Sequence, residues 1–264
     1  MRIVYHWIAL FFLLAFVACN TTTYEEPDII VTLDPEFTVD LYEQRDPADG
    51  RAEFGLWVES MAIFDCSNFQ VAARVSVDAA AISVELLDIK APALCQGGPD
   101  KARGFVPIGA LADGTYDFTF ALSTLLESTG TLTVQNGRYQ LDLPQQKGID
   151  FQNRMLETMP TGYVWGFADT LAEQDLPRAD QLIQDLKNQT EAPKLPAGFY
   201  SYFTVSATGQ YFFHRSMAPL GQHRPFLRRL GPGGASTVGA LLQSYRNDPV
   251  RPLSIRCLST QGAL

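Results

Sequence analysis

Residues 131–143 read TLTVQNGRYQLDL. Two alternating apolar runs flank Asn136-Gly137. A two-residue hairpin turn needs positive φ at both central positions, which Asn and Gly tolerate best. The stretch therefore predicts an antiparallel hairpin with Leu132 and Val134 facing Tyr139 and Leu141. Strand logic then governs its neighbourhood.

Working outward, the same period of two recurs. EFTVDLYE places Phe37, Val39 and Leu41 on one face. NFQVAARVSVD places Phe69, Val71, Ala73, Val75 and Val77 on one face, with Gln70, Arg74 and Ser76 opposite. ISVELLDI follows, and GTYDFTFAL puts Tyr116, Phe118, Phe120 and Leu122 in register. Six to eight short strands and no helix are expected before residue 145. Short strands with one apolar face bury it against a second sheet. The expectation for residues 31–146 is an all-β, immunoglobulin-like sandwich.

The segment PQQKGIDFQNRMLETMPTG, residues 144–162, breaks this rhythm and predicts a boundary. Beyond it GYVWGFAD reads as a strand. DLPRADQLIQDLKN reads as a helix: Asp175 caps it, Pro177 suits its first turn, and Ala179, Leu182, Ile183 and Leu186 make one stripe. GFYSYFTVSATGQYFFHR reads as two strands about a turn near Thr208-Gly209. STVGALLQSYRN reads as a helix capped by Ser236, with Val238, Leu241, Leu242 and Tyr245 inward, and PLSIRCLS as a closing strand. The order β-α-β-β-α-β predicts a ferredoxin-like α+β domain over residues 147–264.

The beginning of the chain decides its location. Ile8–Ala18 is an apolar run of 11 residues behind Met1 and Arg2. That fits the ~7–15 of a secretory signal core and falls short of the ~20 that span a bilayer. Phe16-Val17-Ala18-Cys19 resembles the lipobox of bacterial lipoproteins, with Phe16 where that family usually has Leu. The resemblance covers only about the first 20 residues. It implies cleavage after residue 18, diacylglycerol on Cys19 and a membrane partner through that anchor, with residues 19–30 as a polar tether. It implies a bacterial cell-envelope location, with the outer membrane favoured. In an exported chain the remaining cysteines favour a bridge, and Cys66 and Cys95 share one block. Cys257 alternates with Leu253 and Ile255 and reads as a small buried hydrophobe.

Formal charge is −9, and removing residues 1–18 removes Arg2 alone, leaving 19 − 29 = −10. Such acidity disfavours nucleic acid as a partner. One acid-free stretch stands out: HRSMAPLGQHRPFLRRLG holds His214, Arg215, His223, Arg224, Arg228 and Arg229. With a helix starting at Pro225, the arginines would share one patch. The patch reads either as an anion site or as a solvated basic face. Trp165, Tyr200 and Tyr202 fall on the strand face away from the small residues Val164, Gly166 and Ala168. They read either as a ligand platform on an open sheet or as packing against the neighbouring domain.

Catalytic motifs are absent: the chain has no H-E-x-x-H, C-x-x-C or G-x-S-x-G. No cofactor or metal is expected. The predicted role is a non-catalytic binding or assembly module, with a protein, a glycan or a small anion as the candidate ligand. The alternative is an envelope hydrolase whose site draws on residues distant in sequence.

Overall fold

Ten strands join into one mixed sheet, and its two edges are consecutive in the chain. The structure, a computed structural model, describes residues 34–123, 125–170, 175–214 and 222–264. Cys19 and Arg215 lie outside the described residues. The strands are β1 (Phe37–Arg45), β2 (Ala52–Phe64), β3 (Gln70–Asp78), β4 (Ala81–Lys90), β5 (Asp100–Pro107), β6 (Gly114–Leu122), β7 (Leu126–Gln135), β8 (Arg138–Asp142), β9 (Ile149–Asn153) and β10 (Met155–Glu157). Their spatial order is β10-β8-β7-β6-β4-β3-β5-β2-β1-β9. Arg154 alone separates the two edge strands, so the sheet must curl until those edges meet. The result is a nearly closed barrel, not a two-sheet sandwich.

The hairpin at the centre of the sequence forms as its residues predict. Asn136 (φ 52°) and Gly137 (φ 76°) make the turn, and Leu132 pairs with Leu141 and Val134 with Tyr139. Val39, Leu41, Leu56, Val84, Phe118 and Leu132 point inward and fill the barrel. Irregularities curve the sheet. The register shifts in β3–β4 between Ala72 and Ala73, in β2–β5 between Glu59 and Ile63, and in β1–β9 between Val39 and Asp40. An extra residue on one strand sharpens local twist, and such twist lets a sheet close. Cys66 and Cys95 are bridged across 29 positions, as expected from the sequence.

The ferredoxin-like expectation also fails. β11 (Tyr163–Thr170) lies between β15 (Gln222–Arg229) and β16 (Ser254–Ser259), antiparallel to both, in a sheet of three strands. A second three-stranded sheet is a meander of β12 (Gly198–Tyr200), β13 (Phe203–Val205) and β14 (Tyr211–Phe213). The tight turn at Ser201 (φ 27°) splits the run read as one strand into β12 and β13.

Two helices, α1 (Leu176–Gln189) and α2 (Gly234–Arg246), cover one face of the β15-β11-β16 sheet. Ala179, Leu182 and Leu186 of α1 meet Val164 and Ala168, and Val238, Leu242 and Tyr245 of α2 join the same core. Asp175 precedes α1 without a side-chain cap bond, and Gly233 rather than Ser236 occupies the N-cap of α2. Gly166 is small for another reason than helix packing: a Cβ there would sit 2.1 Å from the Arg256 carbonyl of β16.

Residues 33–264 form one compact unit. Its two halves meet where β1 ends. Arg45 donates to Glu43 Oε1 (2.9 Å), the Gly50 carbonyl (2.9 Å) and the Met159 carbonyl (2.8 Å). The Ser201 hydroxyl accepts from the Glu43 amide (2.7 Å), and the Tyr202 hydroxyl accepts from the Arg45 amide (2.8 Å). Buried polar groups must be satisfied, and here the partners come from both halves.

Candidate functional site

Period two sends alternate residues of β1 outward. While Val39 and Leu41 enter the core, Thr38, Asp40 and Tyr42 face away from it and line a cleft of about 270 Å³. β2 runs antiparallel and adds Trp57, opposite Asp40, and Glu59, opposite Thr38. β9 flanks β1 on its other side and adds Asn153. Phe199, Ser201 and His214, around the meander, complete the wall.

Asp40 is the central acid. Its Oδ1 accepts from the Asn153 amide (2.9 Å) and from Asn153 Nδ2 (2.8 Å). Burial pushes its carboxyl above the usual range; the Asn153 bonds and the nearby His214 only partly offset this. Glu59 behaves oppositely. Partial burial raises its carboxyl, but bonds from Lys101 Nζ (2.7 Å) and Arg103 Nε (2.6 Å) outweigh that and hold it low. Arg103 also grips Asp100 with two nitrogens, at 2.8 and 2.9 Å.

His214 is held on both sides of its ring. Nδ1 lies 3.0 Å from the Ser201 carbonyl, which can only accept, so Nδ1 carries the proton. In the neutral ring Nε2 then accepts from the Thr204 hydroxyl at 3.1 Å. Burial lowers its pKa, with the Ser201 bond and Asp40 opposing, and its ring stacks on Phe199 at 5.0 Å. Both nitrogens are engaged by the protein, so His214 shapes the wall and offers no free base. Tyr42 lies 5.6 Å from Trp57 between ring centroids, giving the cleft a continuous aromatic side.

The residues singled out by sequence do not converge on this cleft. Trp165, Tyr200 and Tyr202 are buried, and Trp165 is 1% exposed. The β12–β14 meander covers this face, so it is packed rather than an open platform: Trp165 meets Tyr202 at 5.4 Å and Phe203 at 6.5 Å. Tyr202 in turn meets Tyr42 of β1 at 5.5 Å, so these aromatics weld the halves together.

The arginine segment is strand β15, not a helix, and it alternates. Pro225 fits because β15 is an edge strand, where a missing N–H costs no ladder bond. Arg224 and Arg228 fall on the helix side with Phe226, and Arg229 on the other. Arg224 forks onto Asp180 of α1 (2.5 and 3.3 Å). Arg228 donates to the Thr190 hydroxyl (2.7 Å) and carbonyl (3.0 Å), at the negative end of α1. Arg229 meets Glu191 at 3.2 Å. Each described arginine of the segment thus has a partner distant in sequence. Cys257 is free, packs with Leu253 and Ile255, and lies 3.3 Å from Arg246 Nη2.

Among the described residues, no three His, Cys, Asp or Glu side chains are grouped to hold a metal ion. The fold and site define a near-closed ten-stranded mixed barrel with a layered α/β half and an acidic, aromatic cleft on the barrel's outer wall. Comparison with known families, characterised proteins and solved structures finds no match to this chain.

Proposed function

We propose that this chain is a lipid-anchored protein of the bacterial envelope, favouring the outer membrane, and that the Asp40–Trp57 cleft binds a hydroxyl-rich ligand such as an envelope glycan. One observation carries the reading: a carboxylate fixed by Asn153 stands beside the Tyr42–Trp57 aromatic side. A carboxylate oxygen accepts from vicinal hydroxyls, and aromatic surface covers the apolar C–H face of a sugar ring. The role is binding rather than turnover, because His214 has no free nitrogen and Glu59 is neutralised by Lys101 and Arg103. The anchor rests on the lipobox-like Cys19.

A second reading has a specific observation in its favour. Asp40 and Glu59 have environments that push their carboxyls apart, up and down, as an acid–base pair requires. Titrating neutral and acetylated amino-sugar oligosaccharides into wild type, Asp40→Asn and Trp57→Ala, while assaying for new reducing ends, separates the two. Binding lost in both variants without new ends supports the binding role. Turnover lost in Asp40→Asn supports the hydrolase. Absence of binding to every oligosaccharide overturns the glycan reading.

A further inference from the structure

The barrel has two unlike ends. One is sealed by the Glu43–Arg45 junction. At the other β1 and β9 begin, β2 and β4 end, and β6 turns into β7. Here Ile63 is 70% exposed, Leu94 in the disulfide-closed loop 73%, and Leu125 in the β6–β7 turn 85%. Met61 and Leu87 are exposed beside them. They come from four segments, Met61 and Ile63 sharing β2, so no single sequence run accounts for the group. Between them opens a cavity of about 420 Å³ walled by Phe37, Phe64, Leu86, Leu122 and Leu126.

Exposed apolar side chains scattered singly need no explanation, but a group of them at the strand ends and turns of one barrel end, around a cavity, marks an interaction surface. Its occupant follows from where the chain enters. Asp34, the first described residue, lies beside Glu36 at this same end, since the Glu36 amide bonds the Gly148 carbonyl just ahead of β9. Cys19 is 34 − 19 = 15 positions upstream. Fifteen residues reach at most ~50 Å, so an anchor at Cys19 keeps this end within that distance of the bilayer.

We propose that this apolar end of the barrel rests on the lipid bilayer, with Leu125, Ile63 and Leu94 inserted among the acyl chains. The proposal rests on the Cys19 anchor reading. Glu36 and Asp88 line the cavity, so the surface suits zwitterionic rather than anionic lipid. Contact here also sets the direction of the cleft: Asp40, three positions along β1 from Phe37, stands on the outer wall about 10 Å from this end.

The test uses the full chain, processed and reconstituted in phosphatidylcholine vesicles with brominated acyl chains. Leu125→Trp and Ile63→Trp place reporters at this end. Val77→Trp, at a 46% exposed site near the opposite end, is the control. Measured against wild type, whose Trp57 and Trp165 also emit, the added emission should be mostly lost in the first two and retained in the third. Equal emission at all three, or quenching at Val77→Trp alone, overturns the proposal. Flotation of the same samples with and without Cys19→Ala reads the anchor separately. Flotation that depends on Cys19 without quenching at residue 125 keeps the anchor and rejects the docking. Quenching that persists in Cys19→Ala supports the docking and shows that it does not need the anchor. Neither flotation nor quenching overturns both.

Discussion

Replacing Arg45 by methionine keeps most of the side-chain volume and removes three hydrogen bonds at the junction of the halves. The Arg45 and Glu43 side chains are only 9% and 6% exposed. Without the guanidinium, Glu43 keeps one long contact, from the Met159 amide at 3.4 Å, and the Met159 carbonyl loses its 2.8 Å donor. Breaking a buried ion pair from one side costs roughly 3–5 kcal/mol. At ~2–4 °C per kcal/mol for a chain of this size, the melting temperature should fall by ~6–20 °C. Burial already raises the Glu43 carboxyl, and Arg45 pulls it partly back. The raised pKa means that stability from this group is full below the unfolded value near 4.3 and is lost as pH rises through the folded value. Removing Arg45 raises it further, so the deficit should be largest at neutral pH and shrink toward acid. Circular-dichroism melts of Arg45→Met and of Glu43→Gln/Arg45→Met, at neutral and mildly acidic pH, measure this. The double variant should recover most of the loss because no charge is left buried and unpaired. A single-variant loss below ~1 kcal/mol, or a deficit independent of pH, would refute the claim that this pair holds the halves together.

Other perturbations act on separate features. Removing the disulfide with Cys66→Ser/Cys95→Ser should lower stability by about 3–4 kcal/mol on loop entropy, read by urea unfolding of oxidised wild type against the variant. Cys257, whose thiol burial raises, should resist alkylation in the native protein at neutral pH and react after denaturation; rapid native labelling would contradict its packing. Gly137→Ala should cost ~1–2 kcal/mol, since φ is 76° and the new Cβ would meet the Thr158 hydroxyl at 2.7 Å; a neutral melt would count against the turn geometry. Glycan binding through the Asp40 carboxylate should fall on acidification with a midpoint above the usual ~4 for Asp, because burial raises that group; a midpoint at or below 4 would remove Asp40 from the site.

The central hairpin turn and the first helix stripe are legible in the sequence, and closure of the sheet is not. Asn136-Gly137 names its turn without help from the rest of the chain. The α1 stripe of Ala179, Leu182 and Leu186 is buried as its spacing predicts. Barrel and sandwich, however, use the same alternation, since each strand buries one face either way. What selects the barrel is residues 149–157, which supply both edge strands of the sheet. β9 and β10 are only five and three residues long, too short for period two to announce them. Read as a break between domains, they are where the large sheet meets itself. Likewise RPFLRRL carries apolar residues at both strand and helix spacing, and pairing with β11 decides for the strand.

The cleft shares this origin, which is why no motif marked it. Asp40 on the polar face of β1 looks like any solvated strand residue. It becomes a distinct site because the fold buries it, which raises its carboxyl, while Asn153, 113 positions away, bonds it and with His214 partly offsets that rise. Asn153 is the last residue of β9, one position before the Arg154 link between the two edges. The register shift between Val39 and Asp40 brings Asn153 opposite Asp40. The same local irregularity that bends the edge strand toward closure therefore creates the site's central contact. Asn153→Ala should on this ground weaken ligand binding and barrel stability together, whereas Trp57→Ala, on the outward face of β2, should weaken binding with little change in the melt. A variant series in which Asn153→Ala changed only one of the two would separate closure from site assembly.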